Sequence, residues 1–230
     1  MDKTKSDFNK RKEEINEYFL FLEILNSEKI YLKYTSGIDT KEVSLSTKLQ
    51  RIFIANTFLI LYNLIESTIR NSIVEIYDKI QEDEVKYDNL SDNLKQIWLQ
   101  KMTKRFNDSK ISDKSITNNL HEIIKNIIEH EIIALTKDDI DISGNIDARE
   151  IRKLANKIGF NNTQNGSSLV TIKNKRNGLA HGDFTFYDVG KNYTIAELNN
   201  FKDETFSYLL EVVNNIELFI SKKVYLKQVV

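Results

Sequence analysis

The stretch IFIANTFLILYNLIE, residues 52–66, decides the fold class. Its apolar side chains fall on nearly every side of a 3.6-residue period, which suits a helix enclosed by other elements. No proline or glycine interrupts the pattern as it continues, so one long helix is expected over about 46–82. Asn56 and Asn63 punctuate the apolar run and Glu66 ends it, short of the roughly 20 residues that span a bilayer. The N-terminal MDKTKSDFNKRKEEI is charged and does not read as a signal peptide. A soluble, cytoplasmic protein without membrane association is the expectation.

Outward from this helix the chain remains helical in pattern. Residues 5–26 carry Phe8, Ile15, Phe19, Leu22 and Leu25 at amphipathic spacing. The polar TSGIDTKEVSLST, 35–47, reads as a loop. Shorter helices are expected over 91–106, 115–136, 147–158 and 169–181, and a last long one over about 195–223. Asp147 with Glu150, and Thr194 with Glu197, have the spacing of capping boxes at two of the helix starts. DFTFYDVG, 183–190, alternates briefly but is too short to support a sheet alone. The polar segments 83–93, 107–114 and 137–147 read as connections, and no linker divides the chain. One all-α domain over 1–230 is expected.

Composition narrows the function classes. The chain of 230 residues has no cysteine, which removes disulfides, thiolate nucleophiles and cysteine-ligated metal centres. A net charge of −1 argues against broad wrapping of nucleic acid, leaving room only for a local basic patch. His121 and His130 lie on opposite sides of an expected helix and cannot meet at one metal, and the acidic KDDID run lacks EF-hand spacing. Neither a metal nor another cofactor is therefore expected.

The basic patch is found in TIKNKRNGLAHGDF, residues 171–184. His181 stands where Gly182 would end a helix, and the helix dipole favours a cationic imidazole there. With Arg176, Lys173 and Lys175 it makes a phosphate-directed cluster. Arg176 and His181, five residues apart, lie about 140° around a straight helix, so one copy cannot easily aim both at one atom. Either the helix breaks near Gly178 or a second copy faces the first. Asn177 does share a face with His181. Glu66, on the face of Tyr62 and Ile69, has Arg70 as its plain partner, with a second role in steering Arg176 as the alternative. Tyr187 and Tyr193 suit base stacking, but helix packing is the simpler expectation.

RNGLAH, Arg176 to His181, resembles the Arg–four-to-six–His motif of the HEPN superfamily, and RNGLAHGDFTFYDVGKNYT resembles the surrounding section of a bacterial HEPN nuclease-like family. Residues 143–160, 58–73 and the N-terminal helix resemble further blocks in the same order. The resemblance implies a HEPN-type helical bundle with long antiparallel helices and additional short ones, usually a homodimer with two motif copies lining one cleft. It further implies a metal-independent endoribonuclease of a toxin–antitoxin or antiphage-defence system, with RNA as substrate and a cognate antitoxin or defence partner. Arg176, Asn177 and His181 would be catalytic, Lys173 and Lys175 would hold phosphates, and Glu66 would support them. The alternative is a non-catalytic relative that binds nucleotide or RNA, or scaffolds a defence complex.

Overall fold

The computed structural model describes residues 1–26, 30–104, 112–136, 139 and 144–228. The long central helix forms as expected, α2 over Thr47–Glu82, after α1 over Asp2–Leu25. Ser46 caps α2 by accepting from the Leu49 N–H. Between Arg51 and Tyr77 only Asn63 and Arg70 are exposed, two turns apart on one stripe. An 18-residue window of α2 has mean hydropathy 1.5, apolar and long enough by that test to cross a membrane, and 56% of it is buried within the protein.

Short helices follow: α3 (Asp92–Thr103), α4 (Asp113–Ile128), α5 (Ala148–Ile158), α6 (Ser167–His181) and α7 (Phe186–Gly190), then the long α8 (Ile195–Ser221). A short 3-10 turn, Tyr87–Asn89, precedes α3. The fold is all-α, with one small hairpin and two isolated β-bridges among the described residues. At the start of α8 the Thr194–Glu197 capping box is complete in both directions. At α5 only half of the expected box forms: Asp147 accepts from the Arg149 and Glu150 N–H groups, while the Glu150 carboxylate turns to Lys153.

Side-chain ties fix how the long helices run. Thr4 N donates to Glu75, Asn71 to Asp7, and the Tyr18 hydroxyl to the Phe53 carbonyl, so α1 and α2 are antiparallel. Lys5 pairs with Glu217 at 2.6 Å and the Lys202 ammonium lies 4.7 Å from the Phe19 ring centre, so α1 is antiparallel to α8 as well. It follows that α2 and α8 run in the same direction. Phe58 meets Phe201 near their starts, and at their far ends the Tyr225 hydroxyl donates to Asp83 at 2.5 Å. The core between them is built from Phe58, Leu61, Ile65, Ile69, Leu209, Val212 and Ile216. Each such side chain contributes about 1.5–3 kcal/mol on burial.

Two expectations are corrected, and one open segment is resolved. Most of the 35–47 loop is instead an antiparallel hairpin, β1 (Tyr31–Ser36) with β2 (Asp39–Ser44), turned by Gly37 at φ +69° in a two-residue, glycine-first loop. The segment 183–190, whose alternation was too short for a sheet, carries the helix α7 over Phe186–Gly190, capped by Thr185, which accepts from the Asp188 N–H at 3.1 Å. The helix expected over 115–136 ends at Ile128. His130 takes φ +52° and Glu131 N donates back to Asn126, after which Ile132 bridges Lys86 in extended form. The end of the 91–106 helix, most of the 107–114 connection and most of KDDID lie outside the described residues.

The helix α7 lies against the first turns of α2 so closely that a Cβ at Gly190 would overlap the Arg51 carbonyl. Backbone cannot yield as a flexible side chain can. Gly190→Ala should therefore destabilise the protein by about 2 kcal/mol or more, read as a lower urea midpoint.

Candidate active site

The site is built on α6. Its first turn is held by Glu204 of α8, whose carboxylate accepts from the Ser168 N–H at 3.2 Å and from the Ser167 and Ser168 hydroxyls. A negative charge at a helix N-terminus satisfies free N–H groups and complements the dipole. Leu169, Ile172 and Leu179 anchor the buried side. The helix then runs unbroken through Gly178 to His181, where Gly182 adopts φ +79° as the terminal left-handed residue. The break near Gly178 does not occur. That glycine serves close packing instead: a Cβ there would overlap the Phe184 ring, and the Phe184 N–H donates to the Gly178 carbonyl at 3.2 Å.

Arg176 is fixed from four sides. Its guanidinium carbon lies 4.4 Å from the centre of the Tyr62 ring, and Nη2 is 4.0 Å from Glu66 Oε2. Nη1 donates to the Gly144 carbonyl at 3.3 Å and to Asn177 Oδ1 at 2.9 Å. Asn177 in turn donates to Asn145 Oδ1 at 2.6 Å. The planar, always-charged guanidinium suits this combination of stacking and forked donation, which an ammonium could not reproduce. Glu66 thus meets both cations weighed for it, since it also accepts from Arg70 at 2.7 Å. It lies between Asn63 and Arg70 at the edge of the exposed stripe, partly solvated, and not on the fully apolar face expected.

Beneath this cluster Tyr62 accepts from the Ile146 N–H at 3.1 Å, and burial raises its phenol above the ordinary tyrosine range. Lys173, expected to hold a flanking phosphate, ion-pairs instead with the buried Asp147 at 2.5 Å. Burial alone would push the Asp147 carboxyl up. Lys173 and the Glu150 and Arg149 N–H groups outweigh it, leaving the group below the ordinary carboxylate range. Residues 144–147 are thereby tied to α6 at Lys173, Arg176 and Asn177.

Lys175 lies elsewhere on α6, its ammonium 5.2 Å from the Phe184 ring centre and 5.8 Å from that of Tyr193. Tyr193 packs edge-on against Phe58 and Phe201, as helix packing predicts. His181 is exposed and, among the described residues, makes no hydrogen bond or ion pair with Arg176, Asn177 or Glu66. His130 pairs with Asp88 at 3.1 Å, far along the chain from this cluster. The structure thus gathers Arg176, Asn177 and Glu66, and leaves His181 open to solvent at the helix end.

Tyr62, Gly144, Asn145 and Asp147 are partners that the sequence reading did not assign to the site. Asp147 carried a signal as a helix cap and Asn145 as a turn residue, but neither feature names its partner on α6. Lys173→Met should leave the buried Asp147 carboxylate without its cation and destabilise the fold by about 3 kcal/mol. Because the Asp147 carboxyl is lowered on folding, its contribution is present above the ordinary carboxylate pKa of about 4 and lost as pH falls through the lowered value. Urea midpoints measured from pH 5 to 2 should fall less steeply in Asp147→Asn than in wild type.

The family model described as MAE_28990-like HEPN matches residues 1–225 of the chain. No curated protein and no solved structure matches it.

Proposed function

Since the chain belongs to the MAE_28990-like HEPN family of nuclease and RNA-related modules, we propose that it is a metal-independent endoribonuclease working at a site shared by two copies. The observation that carries the proposal is the division of the motif along one unbroken helix. Arg176 is held rigid against α2, whereas His181 stands free at the helix end. An arginine and a histidine so separated do not easily serve one phosphate within one copy, and a second copy would supply the complementary group.

The RNA 2′-oxygen attacks the adjacent phosphorus and the bond from phosphorus to the 5′-oxygen breaks. The products are a 2′,3′-cyclic phosphate and a 5′-hydroxyl. One His181 takes the 2′-hydroxyl proton, and the His181 of a second copy gives a proton to the leaving 5′-oxygen. Arg176 stabilises the charge gathering on the non-bridging oxygens, and its fixed position avoids reorganisation during the reaction. Asn177 accepts from Arg176, so its part is to orient the arginine. Glu66 supports the same guanidinium from α2. A toxin or antiphage-defence role, with a cognate antitoxin or partner restraining the activity, fits a small nuclease of this family.

A binding or scaffolding role is favoured by one observation: the Arg176 guanidinium is largely engaged by Gly144, Asn177, Tyr62 and Glu66. The two readings separate in one experiment. Wild type, Arg176→Ala, Arg176→Lys and His181→Ala are purified and incubated with mixed RNA, including tRNA, and with DNA of matching sequence. Wild type should cleave RNA in EDTA, leave cyclic phosphate ends and spare DNA. Arg176→Ala and His181→Ala should each lose at least about 100-fold in rate, and Arg176→Lys should recover little of it. Binding of RNA without cleavage by every variant would favour the scaffold.

A further inference from the structure

The turn after His181 holds an aromatic side chain that the fold does not bury. Phe184 is 46% exposed, although it is large, apolar and fixed in place. Its ring rests where Gly178 lacks a side chain, and its N–H is tied to the Gly178 carbonyl. Immobilisation without enclosure is unusual for a ring whose only purpose is to fill the core, since a buried ring contributes more. The Lys175 ammonium lies 5.2 Å from the ring centre, and among the described residues it joins no ion pair. Lys173, two residues earlier, is neutralised by Asp147, and Lys191 by Asp188.

We infer that Phe184 and Lys175 form a nucleotide subsite beside His181, in which the exposed ring stacks on a base and the ammonium holds the adjoining phosphate. This rests on the RNA reading given above. Stacking needs a flat ring held in one orientation, and the missing side chain at Gly178 supplies it. A cation over one face of the ring, in no ion pair among the described residues, leaves the other face for a base and matches the one feature common to every nucleotide, a phosphate next to a π-face. The ring follows His181 by three residues across the Gly182 turn, so the base it takes belongs to a nucleotide close to the cleaved bond. Preference there follows stacking strength, with purine above pyrimidine and both above an abasic residue.

The test uses the full chain carrying His181→Ala, so that RNA stays intact, and fluorescently labelled single-stranded oligoribonucleotides. Each oligonucleotide is made with all bases present and with one abasic residue moved along it. Adding Phe184→Ala should weaken binding about tenfold, Phe184→Leu should weaken it nearly as much, and Phe184→Trp should restore it. One abasic position should cost the parent about tenfold and the Phe184→Ala variant less than about twofold, because the stacking partner is already gone. Lys175→Gln should weaken binding and flatten its salt dependence.

Equal affinity of the parent and Phe184→Ala overturns the inference, as does full affinity in Phe184→Leu, which would make the ring packing alone. A change of oligomeric state in Phe184→Ala, with abasic penalties unchanged, also overturns it by assigning the ring to contacts between copies. If the parent binds no RNA and wild type cleaves none, the RNA reading itself has failed. Loss of the subsite alone leaves cleavage by wild type in place.

Discussion

Ile54, Phe58, Leu61, Ile65, Ile69, Ile73 and Ile76 leave α2 with too little polar surface to face water. A helix of this kind must be covered from several directions, and most of the architecture follows from that requirement. The helix α1 covers it along one line and α8 along another, the two lying antiparallel to each other. Where neither covers it, α7 presses Gly190 against its first turns and α6 lays Arg176 over Tyr62. Between Arg51 and Tyr77 the stripe from Asn63 to Arg70 is what remains exposed to water. Glu66 lies on that stripe, which is how a carboxylate is tolerated midway along the central helix.

The same covering relation gives the site its two unlike halves. Arg176 acquires its position from α2 and from residues 144–145, so its geometry is a property of the whole bundle. His181 depends only on the end of α6 and the turn at Gly182. In the proposed reaction a rigid cation works with an open imidazole. That proposal asks the cation to stay in place as charge develops and the histidine to reach a proton on the substrate.

Sequence periodicity made the helices legible because burial imposes its period directly on the residues. The long central helix, the first helix and the last fall where 52–66, 5–26 and 195–223 place them. The hairpin over 31–44 was not legible for the converse reason. Its β2 strand is exposed at every residue, so no burial imposes alternation, and only Gly37 marks the turn. At 183–190 a real but brief alternation was outweighed by the Thr185 cap. Within the site, the Arg176–His181 separation and the Glu66–Arg70 pair followed from helical geometry. Lys173 did not, because its partner Asp147 lies 26 residues earlier and only the folded chain brings the two together.

The exposed hairpin joins two antiparallel helices whose relative placement is already set by Tyr18 with Phe53 and by Asp7 with Asn71. Its tip, Ile38, projects wholly into solvent. Closing a longer connection between ends that are already held together costs little, growing only with the logarithm of its length. Insertions and deletions can therefore accumulate at this bend over evolutionary time without shifting Arg176 or His181. The bend is also a natural place to attach a fluorophore or an affinity peptide that reports on the molecule while leaving its chemistry alone.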